Sequence, residues 1–438
     1  MNKPFAVHRL MPNDIVTEDS AAQQFIERHG DKLRYCHSRG RWFRWNGFHW
    51  EVELARALAE DQPDNKRYKI EATSFAGGVE RFAKSDPSAA RTMEHWDRDP
   101  WLLGTPGGTV DLRTGVLRAA LPDDGITKVT AVTPDSSGCP RWLRFLVETT
   151  GDDRELIRFL QQWCGYCLTG VTREHALVFV YGPGGNGKSV FLNTVTMILK
   201  DYSATSAMET FTASTGDKHP TDLAMLAGAR LVTASETEEG RAWAEARIKA
   251  LTGGDPITAR FMRRDFFTYV PTFKLIVIGN HKPVLHNVDE AAKRRFNIVP
   301  FILKPAKPDR ELEQKLMQEA PGILQWMIEG CLDWQQNGLV RPKCVIEATA
   351  EYFSDQDLFR HWLEEECICE PGNMDRSASS SVLFKSWSDY AKAAGHKPGT
   401  TSTFKDNLTT EGFKFYRGAK AREFFGISLR PKQAFGGD

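Results

Sequence analysis

The stretch VFVYGPGGNGKSVFLNTV, residues 178–195, holds the spacing G-x-x-x-x-G-K-[ST] between Gly182 and Ser189. That spacing suits a polyphosphate. The flexible run Gly182, Gly184, Gly185, Asn186 and Gly187 lets backbone N–H groups curl around phosphate oxygens without side-chain interference. Lys188 adds a point charge at the β- and γ-phosphates. The Ser189 hydroxyl is placed to ligate Mg²⁺, and a helix beginning there aims its positive end at the anion.

Such a loop needs an acid at the tip of a neighbouring strand. RLVTASETEEG supplies Glu236 directly after an apolar run, where it would order Mg²⁺ through water and polarise the attacking water. Glu238 and Glu239 lie past the strand end and read as a solvated charge run. KLIVIGN ends in Asn280, whose amide would hold the lytic water; the plainer alternative is a strand-terminating turn. VDEAAKRRFNIVPF sets Lys293, Arg294 and Arg295 before another apolar run. A guanidinium there would stabilise transition-state charge, including across a subunit boundary, and the alternative is a solvated basic face.

These residues need rigid elements beneath them. HALVFVYG, GARLVTASE and TFKLIVIGN read as buried strands, and KSVFLNTVTMILK as a helix. Strand and helix in alternation predict an α/β core with a mostly parallel sheet flanked by helices. Upstream, AAQQFIERHGDKLRYC has a helical pattern. RWFRWNGFHWE reads as a hairpin around Asn46-Gly47, and PGGTVDLRTGVL as another. Trp42, Trp45 and Trp50 suit a small β core better than a base-stacking surface. Residues 140–172 read as helical, as does the chain from 305 to about 365. ICEPGNMDRSASSS reads as a linker.

Composition excludes some classes. The 438 residues carry no net charge, so any basic surface is local. No apolar run approaches the roughly 20 residues that span a bilayer, and the first residues lack a secretory pattern. Eight scattered cysteines suit a reducing compartment. Cys164 and Cys167 have no partner pair at zinc-ribbon spacing, and they read as buried thiols on a helix.

Two stretches could grip nucleic acid. GGDPITARFMRRDFFTYVP opens on a Gly-Gly turn and sets Arg260, Arg263 and Arg264 among Phe261, Met262, Phe266 and Phe267. Cations neutralise phosphates and aromatics stack on bases. Phe266 and Phe267 could instead pack on the sheet. From Phe384 to Lys432, lysine and arginine outnumber aspartate and glutamate ten to four. Helix, helix and a basic hairpin there resemble a winged helix, with Lys405, Lys414, Arg417, Lys420 and Arg422 as candidate DNA contacts.

The order of motifs resembles superfamily 3 helicases of the AAA+ class, and more narrowly the helicase half of phage and plasmid primase-helicases and their poxvirus-type relatives. WDRDPWLLGTPGGTVDLRTGVL is similar to the domain that precedes the motor there. The resemblance implies ATP and Mg²⁺ as cofactors, Lys188 and Ser189 as the Walker A pair and Glu236 as the Walker B acid. Asn280 would be the sensor and Arg295, with Arg294, the arginine finger on the neighbouring subunit's ATP. The element from Lys249 to Arg264 would grip DNA in a ring, usually of six subunits.

The domain organisation expected is an α+β pre-motor domain over 1–145 and a helical collar over 146–173. The AAA+ core follows over 174–305, then a helical lid over 306–365 and the winged-helix-like module over 375–438. The activity expected is ATP-driven translocation on single-stranded or forked DNA during replication of a phage, prophage or mobile element. It would take place in a bacterial cytoplasm, away from membranes and alongside a separate primase or polymerase. The rivals are an origin-binding initiator that melts DNA and a non-motor DNA-binding ATPase.

Overall fold

The computed structural model describes residues 17–53, 73–213, 220–235, 242–262, 265–283, 285, 290–305, 307–356, 358–395, 398–417 and 422–431. At its centre lie five strands: Leu177–Tyr181, Ser203–Thr205, Leu231–Ser235, Lys274–Gly279 and Phe296–Pro300. Numbered along the chain, they stand across the sheet as fifth, first, fourth, third and second. Every neighbouring pair is parallel.

Side chains alternate between two cores, as a pleated strand requires. Val178, Val180, Ile276 and Val299 face one core, shared with helices Pro140–Thr150, Arg154–Leu168, Lys188–Leu199 and Ala320–Asn337. Leu177, Phe179, Leu275, Val277 and Ile298 face the other, shared with helices Glu245–Gly253 and Lys343–Gln356. Burial on both faces explains why these strands read as continuous apolar runs. Ser203–Thr205 escaped the sequence reading because it is a three-residue edge strand of polar and small residues.

The N-terminal residues form a four-stranded sheet and two helices, Glu18–His29 and Thr73–Ser85. The helical pattern read over residues 21–36 stops at His29, because the chain turns at Gly30 and Leu33–Cys36 joins the sheet. The hairpin around Asn46-Gly47 is present, with Trp45 opposite Trp50. Asn46 Oδ1 accepts from the N–H groups of Phe48 and His49 and shapes its loop. Trp42 and Trp50 are buried core residues, and Trp45 is half-buried against Trp50. A second sheet, Leu102–Thr105, Gly108–Asp111 and Val116–Arg118, contains the expected PGGTVDLRTGVL hairpin.

Two buried cations tie the central sheet to its neighbours, and one of them reaches the second N-terminal sheet. Arg230 donates to the carbonyls of Leu168 and Leu102 and lies over the Tyr202 ring. The Tyr202 hydroxyl accepts from Gly104 N–H and donates to the Lys128 carbonyl. Lys274, which opens the fourth strand, donates to the carbonyls of Thr169, Val171 and Thr272 and lies over Tyr166. Both cations therefore sit at the C-terminal end of helix Arg154–Leu168, where the helix dipole is negative. Burial still pushes the Lys274 ammonium down to about 7. Cys164 and Cys167 lie wholly inside the same core, and burial raises both thiols well above their ordinary range.

The supposed linker is structured at both ends. Cys367–Cys369 pairs with Ile427–Leu429, and Ser377–Ser379 pairs with Arg422–Phe425. Its polar composition reflects short edge strands rather than a free tether. Helices Leu358–Glu366, Ser380–Ala393 and Thr401–Thr410 close a separate core around Trp362, Trp387, Phe404 and Phe424. Among the described residues, no helix is long and apolar enough to cross a membrane.

Candidate nucleotide and nucleic-acid sites

Sheet register brings three chain segments to one edge. Gly279 stands opposite Tyr181, and Ser235 opposite Ile278. The loop from Gly182, Asn280 and the tip of strand Leu231–Ser235 are therefore neighbours. Glu236 follows Ser235 directly and lies outside the described residues.

The loop is shaped by its glycines. A Cβ at Gly182 would stand 1.9 Å from the Phe301 carbonyl oxygen, so no other residue fits without moving backbone. Gly187 has φ of 84°, and a Cβ there would meet Phe145 and Thr149 at 2.8 Å. Gly184 and Gly185 face open space. Asn186 is buried, and its amide donates to the Phe301 carbonyl. The loop is thus pinned from beneath and open above.

Lys188 begins helix Lys188–Leu199. Its Nζ donates to Gly182 O at 2.6 Å, Asn186 Oδ1 at 3.0 Å and Asn280 Oδ1 at 3.0 Å, which uses all three ammonium protons. Pro183 O is more distant at 3.4 Å. Burial holds the ammonium below the usual lysine range, so a nearby polyanion would be favoured there. Ser189 is exposed in the first helical turn.

Arg294 and Arg295 occupy the opposite edge of the sheet. The Arg295 carbonyl accepts from Leu177 N–H, at the far end of the strand that leads into the loop. The five residues of that strand span roughly 16 Å at about 3.3 Å each. Arg294 is exposed, whereas Arg295 is half-buried and donates from Nη1 to the Ala291 carbonyl at 2.7 Å. Arg295 Nη2 would lie 4.0 Å from a Cβ at Gly253, beside the turn that opens the next element. Arg341 Nη2 donates to the Arg294 carbonyl at 2.5 Å, a contact with no sequence signal.

That next element is a hairpin of Ile257–Ala259 and Phe267–Tyr269. Tyr269 anchors its base by donating to the Leu223 carbonyl at 2.6 Å. Its apolar side chains do not all fold back on the sheet: Met262 is 73% and Phe266 60% exposed. Arg260 is exposed and lies over the Phe266 ring at 4.9 Å. Phe261 stacks on Phe267. Lys249 is half-buried on helix Glu245–Gly253, and Arg263 and Arg264 lie outside the described residues.

In the C-terminal module, Lys405 lies on helix Thr401–Thr410 with its Nζ over the Phe415 ring at 4.1 Å. Arg417 and Arg422 face each other in the hairpin register, both exposed, and Lys414 is exposed on the same strand. Lys420 lies outside the described residues. Tyr416, 59% exposed beside Arg417, was missed because a lone tyrosine in a strand reads as packing.

A family profile described as D5 N terminal like matches residues 22–151, and one described as a family of unknown function, DUF5906, matches residues 180–295. A helicase-named protein of Acanthamoeba polyphaga mimivirus, L207/L206, is 24% identical over 334 residues, covering 70% of this chain and 34% of that protein. Another, 022R of Frog virus 3 (isolate Goorha), is 26% identical over 253 residues, covering 52% and 26%. At a coarse level the chain is similar to D5-like superfamily 3 helicases. It spans about a third or less of the length of these curated relatives. The apo C-terminal region of NrS-1 shares the fold, with a TM-score of 0.51 at 11% identity over 94% of this chain and 100% of that one.

Proposed function

We propose that the chain is an ATP-driven helicase motor of the AAA+ class that assembles as a ring, most simply of six protomers, and translocates on single-stranded DNA during replication of a phage, prophage or related mobile element. One observation carries this reading. Lys188 and Asn280 meet at one edge of the parallel sheet while Arg294 and Arg295 stand at the other, beyond reach of their own loop. The arginines can serve a triphosphate only on a neighbouring protomer.

The loop fits ATP: its outer face is open at Gly184 and Gly185, and Lys188 already gathers three acceptors that phosphate oxygens can replace. Bound ATP supplies the phosphoanhydride whose cleavage drives the cycle. Lys188 would hold the β- and γ-phosphates, Ser189 and Glu236 would hold Mg²⁺, and Asn280 would orient the attacking water. Arg294 or Arg295 of the adjacent protomer completes the pocket. Arg295 lies near Gly253, just before the hairpin bearing Arg260 and Phe266, so a shift of the arginines would reach the hairpin through that turn. That hairpin grips the strand by phosphate neutralisation and stacking.

The last module, read as a winged helix, holds DNA through Lys405, Lys414, Arg417 and Arg422. Its exposed cations also favour a second reading, an initiator that recognises an origin. Footprinting on random against element-derived duplex separates the two. The motor reading is tested by unwinding of a forked duplex: wild type is expected to unwind with ATP and Lys188→Ala to be inactive. Unwinding by a clean Lys188→Ala preparation overturns the site.

A further inference from the structure

The C-terminal hairpin carries different chemistry on its two faces. Its strands, Lys414–Arg417 and Arg422–Phe425, pair antiparallel, and Ser377–Ser379 lies beside the second. Directly opposite residues share a face, and successive residues alternate. Phe415 and Phe424 point to the module's core, and Lys405 reaches over the Phe415 ring from that side. The alternation puts Arg417 and Arg422 on the same side, beyond the last core pair. Tyr416 and Lys414 take the other face, with Glu423 and Phe425 opposite them.

Arg417 and Arg422 are exposed and stand directly opposite one another, which costs stability unless an anion lies against them. The module's ion pairs are elsewhere, Arg376 with Glu370 and Arg360 with Glu411. Among the described residues, Lys414, Arg417 and Arg422 form none. Helix Thr401–Thr410, the one a groove reader would insert, carries one lysine and one aspartate in its ten residues, so the positive charge belongs to the hairpin. On the other face Tyr416 is 59% exposed, and Phe425 supports its ring edge-to-face at 6.2 Å. Lys414 and Glu423 leave that face without net charge, so it offers a ring rather than a phosphate site. Inside a duplex every base is already stacked, whereas an unpaired base has a free face for an aromatic side chain. Cations on one side of a ribbon and a ring on the other therefore suit the end of a duplex, where phosphates continue along one side and a base comes free on the other.

We propose that this hairpin seats at a junction between duplex and single-stranded DNA, with Arg417 and Arg422 against backbone phosphates and Tyr416 stacked on the first unpaired base. The proposal rests on the reading of this module as DNA-binding and gives it a substrate: a junction recognised by its shape rather than an origin recognised by its sequence.

The test uses the full chain without ATP. Fluorescence anisotropy compares a short blunt duplex with the same duplex carrying a brief single-stranded overhang on one strand or the other. Wild type should prefer an overhang by about tenfold, the scale of one stacked base. Tyr416→Ala should remove that preference, and Tyr416→Phe should keep it. Arg417→Ala with Arg422→Ala should weaken binding of every duplex and flatten its salt dependence. The three side chains are exposed, and an unchanged melting midpoint verifies folding. Iodouracil at the first unpaired position should photocrosslink to Tyr416. The junction proposal is overturned, with the module's DNA reading intact, if wild type binds blunt and overhanging DNA equally, if the preference survives Tyr416→Ala, or if the crosslink maps to Phe266. Unaltered binding by the double arginine variant overturns both, and the hairpin is then a surface for an acidic protein instead.

Discussion

Lys188 Nζ and Asn280 Oδ1 are joined by a 3.0 Å hydrogen bond across the tips of two adjacent parallel strands. The contact places the loop lysine and the strand-end amide around one point in space. An amide so placed can report on a γ-phosphate and hold a water beside it.

Asn280→Ala should therefore impair chemistry more than nucleotide binding. Steady-state ATPase is expected to fall about 100-fold, the scale for losing one polar group that orients the reacting centre. Binding of a fluorescent ATP analogue should change little. Equal losses in both would mean that Asn280 merely ends a strand.

The two arginines should separate by their surroundings. Arg294 is exposed, so Arg294→Ala should leave the melting midpoint unchanged while ATPase drops about 1,000-fold. Arg295 donates to Ala291 O and its Nε is buried without a hydrogen-bond partner among the described residues, so Arg295→Ala should also shift stability. Mixing Arg294→Ala with Lys188→Ala subunits should recover part of the activity, because each supplies what the other lacks. If neither arginine variant is complemented in the mixture, the in-trans role has no support.

The hairpin tip should bind single strands through exposed side chains. Phe266→Ala is expected to cost about 1–3 kcal/mol of oligo-dT affinity. Arg260→Ala should lower affinity and flatten its salt dependence. Both should melt like wild type, since Arg260 and Phe266 are exposed. Unaltered oligo-dT binding in the double variant would remove the hairpin from the DNA path.

Lys274 predicts a pH dependence of stability. Its ammonium titrates at about 7 in the fold, against 10.5 ordinarily. Between those values the unfolded chain holds a proton that the native chain lacks, so this group makes stability rise with pH from about 7 towards 10.5. Below about 7 both states are protonated and the cost of burying the charge is fully present. Lys274→Met should remove that slope. Parallel melting-midpoint profiles for wild type and variant over this window would refute the assignment.

The glycine loop that leads into helix Lys188–Leu199 was legible in the sequence because its residues are local: glycines, lysine and serine within eight positions. The strands were legible where both faces are buried, as in LVFVY and KLIVIG. What stayed hidden depends on partners distant in the chain. Arg341 meets Arg294 across 47 residues and Asn186 meets Phe301 across 115. Nothing in the sequence around Arg230 and Lys274 signals burial, yet backbone carbonyls from other elements hold them in the core. The short strands Ser203–Thr205 and Ser377–Ser379 carry too few apolar residues to announce themselves.

The proposed sharing of each triphosphate between protomers is tested most directly by specific ATPase activity against protein concentration. Forked DNA should be in excess, and mass should be measured in the same samples. Specific activity should rise steeply as the 49.4 kDa protomer gives way to a ring, and vanish where only protomers remain. Full, DNA-independent turnover by solitary protomers would contradict the account.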